Sequence, residues 1–152
     1  KYVTKTKEEI TLEGSKKSRH VRKGDLILTN SMSFGRPYIM EIDGFIHDGW
    51  FVLRLGKQLH IDYIYYLLAS PFVQKQFQRL AAGSVVKNIS GDLTKKALLP
   101  IPSLERQKEL AKLISKLEDA SATLSLILKS KIKNYSALKS AILTQELKSK
   151  AA

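Results

Sequence analysis

The chain of 152 residues contains no cysteine. Disulfides, thiolate metal sites and cysteine nucleophiles are therefore excluded, and the absence fits a reducing, cytoplasmic setting. No apolar run approaches the ~18 residues of a membrane span, and no signal peptide is visible. Carboxylates are scarce: 14 Asp and Glu stand against 26 Lys and Arg, leaving a net charge of +12. Such an excess favours a polyanionic partner, most simply nucleic acid, or else an anionic membrane surface. Glycine stops at Gly91 and proline at Pro102. Nothing after Pro102 interrupts a helix.

Catalytic patterns are missing as well. There is no phosphate-binding P-loop, no glycine-rich cofactor loop and no polar-Pro-Pro-aromatic motif. His20, His47 and His60 are isolated and lack metal-ligand spacing. The neighbours His47 and Asp48 read as an incidental pair rather than a general base. Asp25, Asp43 and Asp48 read as turn residues. The expectation is a chain that carries out no bond-making chemistry and binds no metal or cofactor of its own.

What is present falls into two parts. Residues 1–102 hold all the turn formers. Lys1 to Arg22 is polar and basic and reads as a surface segment; because it opens on Lys1 rather than Met, a preceding stretch is expected to be missing. Gly24-Asp25 signals a turn, and Leu26 to Thr29 a buried strand. Tyr38 to Ile42 reads as a second strand, Asp43-Gly44 as a hairpin turn and Phe45-Ile46 as the return strand. Trp50 to Leu55 is another. Helical spacing follows over His60–Ala69, with Tyr65 in the core and Tyr63 and Tyr66 half-buried. A second short helix starts at Ser70-Pro71, with Phe72, Val73, Phe77 and Leu80 inward. Ser90 caps a turn of helix, and Leu98-Leu99 is read as returning to the sheet. Pro100 and Pro102 then stiffen the backbone before the final helix.

Residues 103–152 read as one long amphipathic helix. Leu110, Leu117, Leu124 and Leu138 recur every seven residues, with Lys131 interrupting the row. Leu113, Ala120, Ile127 and Ala141 complement them, and Ile114, Leu128, Tyr135 and Ile142 widen the stripe. This is a coiled-coil or helix-pair seam. Lys131 and Asn134 either fix its register or mark a bend. The expected fold is α+β: a small, twisted, mainly antiparallel sheet with short helices, then a long coiled-coil helix.

Three segments suit a phosphate or base partner. Lys16, Lys17, Ser18 and Arg19 crowd cations and a hydroxyl as phosphate contact requires. The loop Asn30-Ser31-Met32-Ser33-Phe34-Gly35-Arg36 offers hydroxyls, an amide and an arginine, the groups that grip base edges. Ser84, Lys87 and Asn88 lie beside a helix start, where anions sit well. Tyr63, Tyr65 and Tyr66 are considered as a stacking platform and set aside as core.

Gly83-Ser84, Ile89, Leu93 and Leu99-Pro100-Ile101-Pro102-Ser103-Leu104-Glu105-Arg106-Gln107, then Leu110, resemble the end of a target-recognition domain. The family is the DNA specificity subunit of type I restriction-modification enzymes. Lys23-Gly24-Asp25-Leu26-Ile27 and Gly35-Arg36 are similar to its Lys-Gly-Asp-Leu strand and following loop. Leu138 to Leu147 is similar to the end of its conserved helix. Ser103 replaces the second proline of the usual Pro-Pro, and Arg106 stands where glutamate is usual. The first is a good N-cap; the second puts a cation in the first turn, which Glu105 partly offsets.

The resemblance implies a non-catalytic reader of one half of a split duplex DNA target. It implies modification subunits that use S-adenosylmethionine, and a restriction subunit, using ATP and Mg²⁺, that joins through the complex. It also implies a second copy, or the other half of the subunit, paired through Leu110–Ile142. Two other readings compete. A coiled-coil assembly adaptor would not need the basic loops, and an enzyme would turn over in isolation.

Overall fold

The computed structural model describes residues 1–6, 8–30, 35–81 and 90–150, the side chains of 93 and 148–150 apart. Among the described residues six strands form: β1 (Tyr2–Val3), β2 (Arg19–Val21), β3 (Leu26–Thr29), β4 (Pro37–Met40), β5 (Gly44–Ile46) and β6 (Trp50–Leu53). The helices are α1 (Leu12–Ser15), α2 (Ile61–Ala69), α3 (Pro71–Ala81), α4 (Gly91–Thr94) and α5 (Leu104–Lys150). The chain divides into two compact units, Lys1–Ala111 and Lys112–Ala152. The start of α5 therefore belongs to the first unit, the head.

The head is built around β3. The main sheet runs in the order β1-β4-β3-β6, so Leu26 faces Ile39 on one side and Leu53 on the other. A strand flanked on both edges and covered on both faces must be apolar throughout, and all four β3 residues are buried. Strand alternation sends Ile27 to one face, where it joins Val21 and Met40, with Tyr38, Trp50 and Val52 packed against them. Leu26 and Leu28 point the other way. α2 packs on β4 and on α3, and Ile64, Leu68, Val73 and Phe77 are buried.

Gly24 explains the entry to β3. It adopts φ +89°, a conformation that side chains resist. Asp25 closes the turn, its Oδ2 accepting from the Arg22 amide at 3.0 Å. The Lys23-Gly24-Asp25-Leu26 string is thus a turn and the strand it launches.

Several details depart from the sequence reading. Lys1–Arg22 is more than a surface coat: β1 joins the main sheet parallel to β4, and β2 pairs with β5 in a second, two-stranded sheet. Asp43-Gly44 therefore closes no hairpin, because β4 and β5 lie in different sheets. Asp43 instead accepts from the Lys23 amide at 2.7 Å. Leu98 and Leu99 do not re-enter the sheet. The Gln76 side chain takes the place of a strand there, receiving the Leu98 amide at 2.9 Å and donating to its carbonyl at 3.1 Å. On α2 the tyrosines are reversed, with Tyr63 and Tyr66 buried and Tyr65 half-buried. Tyr63 donates to the Pro100 carbonyl at 2.8 Å, and burial raises its phenol pKa. Phe72 is exposed.

Where the head meets α5, one buried amide organises the backbone. Gln107 is 1% exposed. Its Oε1 accepts from the His60 amide at 2.9 Å, and its Nε2 donates to the carbonyls of Gln58 at 3.1 Å and Pro102 at 2.9 Å. Ser103 caps the helix through its Oγ, which accepts from the Arg106 amide at 3.3 Å. Arg106, the unusual first-turn cation, is paired with Glu109 at 2.9 Å. Gln107→Leu keeps the volume and removes the three bonds. It should cost about 3 kcal/mol, at ~1 kcal/mol per lost bond. An unchanged thermal melt would refute this role.

Candidate nucleic-acid interface

Two predicted cations are anchored at one end of the main sheet, Arg36 by its backbone and Arg19 by its side chain. Thr29 ends β3 and faces Trp50 at the start of β6. Arg36 brackets Thr29: its amide donates to Thr29 Oγ1 at 2.9 Å, and its carbonyl accepts from the Thr29 amide at 3.0 Å. Arg19 reaches the same end from β2, its guanidinium donating to the Trp50 carbonyl at 3.0 Å. Both residues are exposed. Asn30 completes the rim, its amide side chain donating to the Asp48 carbonyl at 2.7 Å.

Lys16 and Lys17 are exposed in the turn that leads from α1 into Arg19. Thr11 caps α1 by accepting from the Gly14 amide at 3.1 Å, so this stretch is a defined turn and not a loose basic arm. Ser31, Ser33, Ser84, Lys87 and Asn88 lie outside the described residues.

The base of the 30–36 loop is fixed by glycine. Gly35 has φ +81°, and a Cβ there would sit 2.6 Å from the Phe77 ring. Gln74 of α3 holds the same point, its Nε2 donating to the Gly35 carbonyl at 2.6 Å and to the Leu68 carbonyl at 2.7 Å. Gln74 and Gln76 were not anticipated. Polar residues on an amphipathic helix signal exposure, and nothing local shows that an amide will replace missing backbone partners.

The histidines take ordinary parts. His20 packs on Phe45 with ring centroids 5.2 Å apart. His47 lies within hydrogen-bond reach of the Gly49 amide through Nδ1, 2.9 Å, and of Trp50 Nε1 through Nε2, 3.3 Å. A neutral imidazole has one acceptor nitrogen, so only one of these bonds forms at a time. His60 precedes α2 with its Nδ1 buried and unpartnered. Among the described residues no cluster of His, Cys, Asp or Glu could hold a metal ion.

The tyrosine cluster already has a cation. Lys1 Nζ pairs with Asp62 at 2.7 Å and sits 4.4 Å from the Tyr66 ring centroid, with the Tyr2 and Tyr65 rings also near. Partial burial pulls the Lys1 pKa down. Hydrogen bonds to Asp62, Tyr66 and Tyr2, with the Asp62 charge, outweigh this and raise it above the usual lysine value.

In the second unit the predicted seam is exposed. Leu113, Leu117, Leu124, Ile127, Leu128, Tyr135, Leu138 and Ile142 are all solvent-facing, whereas Leu110, on the head's side of the boundary, is half-buried. Ile132 and Leu143 are exposed too, and at helical spacing they broaden the apolar stripe. α5 runs through Lys131 and Asn134 without a break. No helix among the described residues is long and apolar enough to cross a membrane.

Residues 2–143 match the family described as Type I restriction modification DNA specificity domain. Two solved structures share the fold. One, described as the structural basis of complex assembly and conformational transition of the type I R-M system, is 17% identical with a TM-score of 0.58. The match covers 70% of this chain and 26% of that one. The HsdS subunit from Thermoanaerobacter tengcongensis is 19% identical with a TM-score of 0.57, over 70% of this chain and 25% of its own. The chain spans about a quarter of the length of these structures.

Proposed function

The chain belongs to the family of type I restriction-modification DNA specificity domains, and from that premise we propose that it reads one half of a split DNA target without catalysing any reaction. The observation that carries this is the reach of the family match, which takes in the head and nearly all of α5. Arg19 and Arg36 contact the target at the Thr29–Trp50 end of the sheet, and Ser31, Ser33, Ser84, Lys87 and Asn88 also contribute contacts to the target. Lys16 and Lys17 bind phosphates. The recognition domain (1–102) reads the target, and the helix (103–152) pairs with a second copy or with the other half of a subunit. Its leucine stripe sets the separation of the two heads. Modification subunits using S-adenosylmethionine dock on this assembly, and a restriction subunit using ATP and Mg²⁺ joins through them, in the cytoplasm.

An exposed leucine face supports the pairing, since apolar stripes of this length are stable only when covered. A basic sheet end supports the DNA contact. Replacing Arg36 and Lys87 with alanine in the assembled enzyme tests the reading. Target affinity should fall roughly ten- to a hundredfold, the size of one lost bidentate base contact at ~1–3 kcal/mol. Unchanged affinity and specificity would instead favour an assembly adaptor.

A further inference from the structure

At the opposite end of β3 from Arg36 lies a second basic surface. The two ends are about 10 Å apart along the strand, at ~3.3 Å per residue. Here the Arg22–Asp25 turn, the chain after β6, the start of α2 and the start of α5 enclose an open cleft of ≈ 660 Å³. Five cations line it (Arg22, Lys23, Arg54, Lys57 and Lys108) against one carboxylate, Asp25.

That carboxylate is already engaged. Its Oδ2 accepts from the Arg22 amide and its Oδ1 lies 3.6 Å from Arg54 Nε. Lys23 is 3.6 Å from Glu41. Among the described residues the side-chain charges of Arg22, Lys57 and Lys108 have no ion-pair partner. All three are exposed. The nine-residue α2 begins at the cleft without a side-chain cap, so its positive dipole end adds to the field.

The lining also lacks something. It contains no Asn, Gln, Ser or Thr, the neutral side chains that exchange hydrogen bonds with base edges. Without such amides and hydroxyls, unpaired cations brought together from three separate segments suit phosphate oxygens, which take most protein–DNA hydrogen bonds. We propose that this cleft grips backbone phosphates of the bound duplex through Arg22, Lys57 and Lys108, independently of base sequence and at the far end of the sheet from the reading loop. The proposal rests on the DNA-reading function above and divides the head into a specific end and a non-specific one.

The test is the variant Arg22→Gln/Lys57→Gln/Lys108→Gln in the assembled enzyme. Affinity for a target duplex and for a scrambled duplex is measured between about 50 and about 200 mM salt. Three lost phosphate contacts should make the log–log salt slope shallower by about 2 to 3, since each phosphate contributes ~0.9. Both duplexes should weaken alike, leaving their affinity ratio unchanged. An unchanged slope, with target binding intact, would overturn the cleft and leave half-target reading standing. A lost ratio would overturn its sequence independence. Parent enzyme that cannot tell target from scrambled DNA would overturn both. Inorganic phosphate provides the other arm: if it stabilises the parent head but not the variant while the slope holds, the cleft takes a free anion and the duplex assignment fails. Matching thermal melts in phosphate-free buffer check that the variant is folded.

Discussion

Gly35→Ala should be the most damaging addition of a single methyl group to the head. The residue sits at φ +81°, where the new side chain is strained, and the new Cβ would lie 2.6 Å from Phe77 Cδ2. Phe77 is 1% exposed and cannot swing away. Left-handed strain of ~1 kcal/mol and overpacking of ~1–3 kcal/mol together give a loss of about 3 kcal/mol. For a head of this size the melt should fall by roughly 10–20 °C. Adding Phe77→Leu separates the two causes: it relieves the collision and leaves the backbone strain, so the melt should partly recover. A parent-like melt for Gly35→Ala would refute the pinned loop base. In the assembled enzyme the same change should erase target discrimination before it weakens non-specific DNA binding, because it moves the loop and spares the phosphate contacts.

The second large effect concerns α5. Leu117→Lys/Leu124→Lys places two charges in the proposed seam of each copy. Every leucine lost from a covered interface removes ~1.5 kcal/mol or more. Counted over both copies this is about 6 kcal/mol, a roughly 10⁴-fold weaker association. Light scattering at tens of micromolar should find the parent paired and the variant monomeric. The head should melt unchanged, since both positions lie in the second unit. A parent that is already monomeric would remove the pairing from the account.

Much of this architecture is legible in the sequence because its signals are local or periodic. The apolar run Leu26–Thr29, the glycine turn before it and the seven-residue leucine repeat each report a structure that short-range physics dictates. What escaped depends on distant partners. β2 holds 3 residues, too few for alternation to show, and it pairs with β5 across 27 positions, as Arg19 does with Ile46. The amides of Gln74, Gln76 and Gln107 look like surface residues until a carbonyl or amide is brought to them by the fold. Leu98 and Leu99 have strand-like composition but meet a glutamine side chain where a neighbouring strand was expected. The candidate site divides likewise. Arg19 and Arg36 stand out as cations beside turns, yet only the Trp50–Thr29 register brings them to one sheet end. The Arg22–Lys57–Lys108 cleft draws on three separated segments and leaves no mark in any one of them.

The measurement that reaches the centre of this account is a map of methylated bases in DNA from cells that carry the intact system. A head at each end of a fixed helical spacer predicts a two-part motif interrupted by a gap of constant length. A continuous motif, or two parts separated by varying distances, would contradict it.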